Sequence, residues 1–389
     1  MTAIYLLFFL SAFILFYNYA GYGILLLLLT RIKKRFSPAS APDASFEPHV
    51  SLVVAAYNEE ADMPAKIANT LALDYPAHKL EIIFITDGST DNTPAIIARE
   101  KRIRLLHEDI RSGKTAAINR AMQHVTAPVV IFCDANTMLN REAVRNIVKH
   151  YADDSVGGVA GEKRVMSRDT AGAAATENLY WKYESFLKKL DADLYSVVGA
   201  AGELFSVRTQ LYRPVEEQVI LDDFVISLRV NMQGYRIAYA PDAYALEAPS
   251  FSITEEHKRK VRISAGGFQS IVMLKGLLNF FKYPVLSFQY ISHRVLRWTL
   301  CPLSLPVLFV TNAALAVLTP YVIFKWLLVA QVLFYVLAMV GYAQALRQKK
   351  SKLSYIPFYF LFMNVAVYQG FSRYMKKSQS AVWERSKRS

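Results

Sequence analysis

The chain has 389 residues, of which 53% are hydrophobic and 13% aromatic, and a formal net charge of +13. That length accommodates one large globular domain plus further elements. A positive mean hydropathy together with a basic pI weighs against an ordinary soluble enzyme and fits a membrane protein with cationic flanks. It weighs equally against a nucleic-acid binder, because the basic residues border apolar stretches and form no separate arm or finger. The two cysteines, Cys133 and Cys301, exclude a disulfide framework or a cysteine-based zinc site, and both read as buried apolar fillers.

Residues 1–30 read as a membrane anchor, since about Ile4 to Leu29 reaches the roughly 20 apolar residues a bilayer needs. The stretch has no early basic region and no small-residue cleavage site, so it is not a signal peptide. Arg31, Lys33, Lys34 and Arg35 follow, which by the positive-inside rule leaves the N-terminus outside and the next domain in the cytoplasm. Residues 31–48 are a basic flank leading into a Ser/Pro/Ala linker, Ser37 to Ser45.

Residues 49–255 alternate short apolar runs with helical periods. The predicted strands are Val50–Ala55, Leu80–Thr86, Ile103–His107, Val129–Cys133 and Val156–Ala160, with helices including Lys114–Val125 and Arg141–Tyr151. Such alternation predicts an α/β domain whose mostly parallel sheet is covered by helices on both faces. Ligands of such sheets bind beyond the carboxyl ends of the strands.

Residues 256–297 predict interfacial helices, Gly266 to Lys282 being apolar with lysine near both ends. Residues 298–375 hold two strong spans, Trp298–Leu318 and Tyr321–Leu346, and a weaker one, Leu353–Tyr374, carrying Asn364 and Gln369. Residues 376–389 form a basic tail. Three crossings after a cytoplasmic domain would put that tail outside, against the charge rule. One of these stretches is therefore expected to be re-entrant or interfacial, or the Tyr283–Leu300 region to add a crossing.

The polar residues of interest sit where strands end. The first strand runs into Tyr57-Asn58-Glu59-Glu60, and the second into Asp87-Gly88-Ser89-Thr90-Asp91. Alone, the latter reads best as turn and N-cap chemistry. Ser112-Gly113-Lys114 opens a helix, where a lysine opposes the macrodipole and calls for a nearby anion. Asp134-Ala135-Asn136 follows an apolar strand, where Asp134 can ligate a divalent cation bound to a diphosphate. Asp222 and Asp223 open an amphipathic helix, either as dipole complements or as a general base beside a donor.

In this order and spacing the motifs resemble family 2 glycosyltransferases over about Val50 to Arg262. They are Ala-Tyr-Asn-Glu-Glu, Asp-Gly-Ser-Thr-Asp, Gly-Lys, Asp-x-Asn, the Gly-Ala stretch at 199–202, and the acidic pair. Arg229, Gly234, Tyr235 and Arg236 extend the likeness. The resemblance implies a GT-A (Rossmann-like) fold and an inverting, metal-dependent hexosyl transfer from a nucleotide-sugar, UDP-linked by analogy. It implies that Tyr57, Glu59 and Asp87 hold the nucleoside and that Lys114 faces the nucleotide. Asp134 with Asn136 would bind Mg²⁺ or Mn²⁺, and Asp223 would be the base, supported by Asp222. Two departures stand out: Asn136 replaces the second acid of the metal motif, and the Gln-x-x-Arg-Trp motif of processive synthases is reduced to Arg262 within Arg259–Ile263.

Arg259, Arg262 and Gln269 are expected to clamp diphosphate or acceptor, and Glu203 to face the acceptor or else solvent. Trp181 and Tyr183 at helical spacing read as packing. His293, Arg294, Arg297 and Trp298 read as interfacial anchors, with a lipid-diphosphate contact as the second reading. The expected partners are a nucleotide-sugar, the bilayer, a glycan or lipid-linked acceptor, and further subunits of a polysaccharide assembly, but no nucleic acid. One N-terminal anchor with several C-terminal apolar helices resembles the bacterial exopolysaccharide-type synthases, which implies a multi-pass enzyme of a cell (inner or plasma) membrane. Single addition to a lipid acceptor is the alternative, and a non-catalytic scaffold a distant one.

Overall fold

The computed structural model describes residues 1–36, 42–165, 173–248, 252–347 and 351–377, without side chains for 173–180 and 352. Most of the Ser37–Ser45 linker and the tail cations Arg385, Lys387 and Arg388 lie outside the described residues.

The chain opens with α1 (Thr2–Phe16) and α2 (Tyr22–Phe36), joined through a π-helical turn at Tyr17–Gly21 into one helix of 35 residues. It then enters an alternating region: β1 (Val50–Ala56), α3 (Met63–Leu71), β2 (Leu80–Asp87), α4 (Thr93–Ala98), β3 (Arg104–Glu108) and α5 (Lys114–Met122). Next come β4 (Val129–Asp134), β5 (Thr137–Leu139), α6 (Ala143–Val148), β6 (Val156–Val165) and α7 (Ala173–Leu194). The region closes with β7 (Leu204–Arg208), α8 (Asp222–Met232) and β8 (Arg236–Glu247).

These strands form one eight-stranded sheet in the order β3-β2-β1-β4-β7-β6-β8-β5. Four of the seven described pairings are parallel, including all those within β3-β2-β1-β4. β1 is buried at every residue, as a central parallel strand covered by helices on both faces should be. Two apolar clusters cover its two faces: Val53, Ile83, Ala117 and Phe132 on one, Leu52, Phe84, Ile131 and Ile147 on the other. All five predicted strands are present, each within a residue at its start. The helix expected at Lys114–Val125 ends at Met122, and the one at Arg141–Tyr151 is a short α6 followed by a 3-10 turn.

Register brings the functional ends together. Ala55 pairs with Asp134 and Ala56 with Thr86, so Tyr57, Asp87 and Asp134 emerge side by side. β7 runs antiparallel to β4 and starts with Leu204 opposite Cys133, which sets Gly202-Glu203 beside Asp134.

Beyond the sheet follow α9 (Ile253–Met273), α10 (Pro284–Tyr290), α11 (Leu296–Trp298), α12 (Leu300–Leu318), α13 (Val322–Leu346) and α14 (Lys352–Met375). Ser252 caps α9 by accepting a hydrogen bond from the Glu255 N–H at 3.2 Å. Among the described residues three helices are long and apolar enough to cross a membrane: Thr2–Phe36, α12 and α13. The stretch expected as a third C-terminal span, α14, does not reach that standard. It packs along α9 and α13 through two glycines instead: a Cβ on Gly370 would lie 2.5 Å from the Ser264 Cβ, and one on Gly341 would strike the Ser354 carbonyl. The basic flank also has a structural use. Lys33 donates to the carbonyls of Asp193 (3.0 Å) and Leu194 (2.8 Å), satisfying orphan acceptors at the C-terminus of α7.

Candidate active site

Two loops at the strand ends are laced together by the short polar residues that the sequence reads as turn chemistry. Asn58 has a left-handed φ of 51°, and its Oδ1 accepts from the Thr90 N–H at 2.8 Å. The Glu60 N–H donates to Asp91 at 3.1 Å, and the Asn92 amide returns a bond to Glu60 at 2.7 Å. Asp91 also accepts from the Thr93 N–H at 3.0 Å, an Asx turn one residue before the N-cap of α4, which is Asn92 and not Asp91.

Asp87 organises the next loop. Its Oδ2 accepts from the backbone N–H groups of Ser112 (3.0 Å) and Gly113 (2.6 Å), and Arg120 lies 3.4 Å from its Oδ1. Gly88 must be glycine here, because its φ is +66° and a Cβ would lie 2.5 Å from Arg111. The Arg111 guanidinium lies 3.7 Å over the ring of Tyr57. Tyr57, Asp87, Arg111, Gly113 and Lys114 line one small pocket. Glu59 is buried beside it, and its N–H donates to Thr93 at 2.9 Å.

The anion that Lys114 calls for is internal. Its amine donates to Asp134 Oδ1 at 2.6 Å. Burial pulls the amine's pKa down, but Asp134, Asp222 and Asp223 together outweigh that and hold it above the usual lysine value. Asp134 is pushed up by burial, against the pull of Lys114. Asp223 is raised to about 7 by burial and by the Asp222 charge, against Lys114 and its own bond from the Phe224 N–H at 2.8 Å. Gly202 permits the arrangement: a Cβ there would lie 3.1 Å from Lys114 Nζ and 3.2 Å from Asp223 Oδ2. Asp222 Oδ2 is buried with no hydrogen-bond partner among the described residues. Arg262 is depressed by burial, while the charges of Asp222, Asp134 and Asp223 act against that.

Two oxygen groups fit a hard cation. Asn136 Oδ1 is buried without a hydrogen-bond partner among the described residues, and Asp134 sits two residues earlier at the end of β4. An amide oxygen and a carboxylate are the oxygen donors such an ion takes, its remaining positions falling to phosphate and water.

A second, larger space of about 430 Å³ adjoins Asp223 and runs to α14. Glu203 and Arg259 line it, as the sequence expects. Glu203 is paired with Lys163, which holds Glu203 well below the usual carboxylate range against the upward push of burial. Lys163 also pairs with Glu247, and Arg259 is bonded to Glu256 at 3.0 Å. Gln269 is a correction. Its Oε1 accepts from the Ile220 N–H at 3.1 Å and its Nε2 donates to the Gln218 carbonyl at 3.0 Å. Its amide is thus used to fix the segment before Asp222, not offered to a diphosphate.

Trp181 lines the cavity too, with Lys163 5.2 Å and Lys260 5.5 Å from its ring, so the packing reading understates it. Cys133 is buried but more than filler: the amine of the fully buried Lys66 lies 2.9 Å from its sulfur and donates to the Thr137 carbonyl at 2.7 Å. The sequence reading missed Lys66, Arg111, Arg120, Lys163 and Lys188. Only Lys66 and Lys188 carried a signal, as lysines at helical positions with apolar neighbours.

Comparison with known proteins agrees with this geometry. Residues 51–215 match the family model described as Glycosyl transferase family 2. Curated relatives include the poly-beta-1,6-N-acetyl-D-glucosamine synthase of Staphylococcus aureus (strain COL), 25% identical over 251 residues, which are 61% of this chain and 60% of the relative. The Staphylococcus epidermidis protein of the same name is 24% identical over 234 residues, 57% of this chain and 55% of its own. The chain thus spans three fifths or less of the length of these relatives. A solved mannosyltransferase from Pyrobaculum calidifontis, in complex with GDP-Man and Mn²⁺, matches with a TM-score of 0.68 at 24% identity. That match covers 95% of this chain and 100% of the other, and it speaks to the fold. The expected motifs are gathered at one sheet edge, on a fold shared with that solved mannosyltransferase, within the stretch 51–215 that is similar to the Glycosyl transferase family 2 model.

Proposed function

We propose that the protein is an inverting glycosyltransferase that moves a sugar from a nucleoside-diphosphate sugar to a membrane-associated acceptor. The observation that carries this reading is the partly buried Asp223 carboxylate, next to Lys114 around Gly202 at the carboxyl edge of the sheet and raised to about 7. A general base works best with a pKa near the working pH. Asp223 takes the proton of an acceptor hydroxyl as its oxygen bonds to the anomeric carbon. The bond from that carbon to the diphosphate oxygen breaks, and one displacement inverts the centre. Tyr57 and Asp87 hold the nucleoside, with Glu59 behind them and Arg111 over the tyrosine ring. Lys114 and Arg262 face the leaving diphosphate, and Asp222 adds the charge that keeps Asp223 basic. A divalent cation held by Asp134 and Asn136 would neutralise the diphosphate charge.

The names of the curated relatives support a polymeric glycan as product, and uridine is the donor base that the family resemblance implies. Three candidate spans, with α14 lying along α9, support a closed topology: N-terminus outside, residues 49–255 cytoplasmic, and the segment after α13 back inside. The deciding experiment is nucleotide release by the detergent-purified protein across a panel of UDP- and GDP-sugars with candidate acceptors. Release from one donor that Asp223→Asn abolishes supports the reading. Turnover equal in wild type and Asp223→Asn would sink it.

A further inference from the structure

We propose that Lys66 is a positioning residue for the cation site: it fixes the turn between β4 and β5 so that Asp134 and Asn136 present their oxygens to one divalent ion. Being fully buried, it acts through the turn and not on a ligand. This rests on the transferase reading above and deepens it by naming what holds the cation's two donors in place.

The turn has no ladder of its own. β4 lies between β1 and β7, whereas β5 lies at the sheet edge beside β8, so the two strands that Ala135 and Asn136 connect are not neighbours. Side chains of α3 take the part of a strand neighbour. The Lys66 amine donates to the Thr137 carbonyl at 2.7 Å and lies 2.9 Å from Cys133 Sγ, which ties together the residues on either side of positions 134–136. The Thr137 hydroxyl in turn donates to the Asp134 carbonyl at 3.0 Å. Further along α3, Asn69 pairs with both backbone groups of Leu139, accepting from its N–H at 2.9 Å and donating to its carbonyl at 2.8 Å.

Fold stability alone does not call for a lysine here. Neither described partner of the amine is a carboxylate, and taking a charged group out of water costs free energy, so its burial is no gain for the fold by itself. What a lysine adds is several donors at the end of a long stem, enough to hold two chain positions at once. A hard cation takes its oxygen donors at about 2.0–2.6 Å, so the Asp134 carboxylate and the Asn136 amide must be held at a fixed separation. Asn136 Oδ1 has no hydrogen-bond partner among the described residues and depends on the turn for its orientation. Groups that orient metal ligands from behind in this way typically change metal affinity by about 10- to 100-fold when removed.

The test uses the full chain in a neutral detergent and titrates Mn²⁺ in the presence of UDP, following the paramagnetic resonance of the free ion, so no turnover is needed. Wild type is expected to bind Mn²⁺ and Asp134→Ala to lose it. Lys66→Met should weaken Mn²⁺ binding by about 10- to 100-fold. Its nucleotide release should recover most of kcat at saturating Mn²⁺, because Lys66 touches no reacting atom. Asn69→Ala, which loosens β5 beyond the turn, should lower Tm and leave Mn²⁺ affinity where it was. Equal affinity in wild type and Lys66→Met would overturn the proposal while leaving the transferase and cation readings intact. An equal loss in Asn69→Ala would also overturn it, since general anchoring of β5 would then explain both. A wild type that binds no Mn²⁺ with UDP would sink the cation reading itself, and this proposal with it. If Lys66→Met does not fold, Thr137→Val decides, because it keeps the carbonyl and removes the hydroxyl that bonds Asp134; unchanged Mn²⁺ affinity there would overturn the proposal.

Discussion

Lys114 Nζ lies 2.6 Å from Asp134 Oδ1, so the cation opening α5 and the acid ending β4 form one partly buried unit. Both side chains are 18% exposed, and the two other acids of the cluster lean on the same amine. The catalytic predictions follow from that shared charge.

Replacing Lys114 by methionine leaves Asp134, Asp222 and Asp223 without their amine. Breaking a buried pair by removing one partner costs about 3–5 kcal/mol. The variant should melt well below wild type and lose donor turnover, both read by a thermal scan and a nucleotide-release assay. A Tm unchanged from wild type would contradict the pairing.

The raised pKa of Asp223 sets a pH dependence. As a base it must be ionised, so the rate should fall about tenfold per pH unit below about 7. Stability runs the other way: a carboxyl whose folded pKa lies above its unfolded value stabilises the fold at low pH and loses that contribution as pH rises through about 7. Asp223→Asn should therefore be inactive yet melt higher than wild type at pH 8. The difference should shrink as the pH falls and vanish only below about pH 4, where the group is protonated in the folded and unfolded chain alike. Thermal scans at the two pH values check the sign.

Gly202 tests the packing of the site with one methyl group. In Gly202→Ala the new Cβ would meet Lys114 and Asp223 at 3.1 and 3.2 Å, and both side chains must give way. Misplacement of catalytic groups by this order costs up to about 10²-fold in rate. The expected result is a large loss of kcat with little change in Tm. A comparable loss of both would mean the glycine supports the fold instead.

Metal dependence follows from Asp134 and the unpartnered Asn136 Oδ1. EDTA should stop nucleotide release and added Mn²⁺ or Mg²⁺ restore it. Asn136→Ala should raise the metal concentration needed by about tenfold. Release that is indifferent to EDTA would remove the cation from the mechanism.

The topology is checked by single cysteines in a protein whose own Cys133 and Cys301 are buried. Pro320→Cys, between α12 and α13, should react with an impermeant thiol reagent on intact cells. Asp154→Cys, on the sheet domain, should react only after lysis.

Much of the fold and site was legible as local pattern. Apolar runs such as Val50–Ala56 are buried on both faces, so periodicity and strand ends could be read from the order of residues. Tyr57, Asp87, Lys114, Asp134, Asp222 and Asp223 carried their own signals because turns, helix starts and strand ends constrain residue type locally. What the linear order left open was pairing. That Lys114 answers Asp134, that Gln269 is spent on the backbone before Asp222, and that Lys66 reaches Thr137 are contacts between distant segments. The same holds for α14: its apolar content does not say what it packs on, and the close approaches at Gly341 and Gly370 place it against α13 and α9. A local sequence sets backbone geometry and the polarity of a face. Which charges meet, and which are left for a ligand, depends on the tertiary approach of elements whose separation along the chain carries no such information.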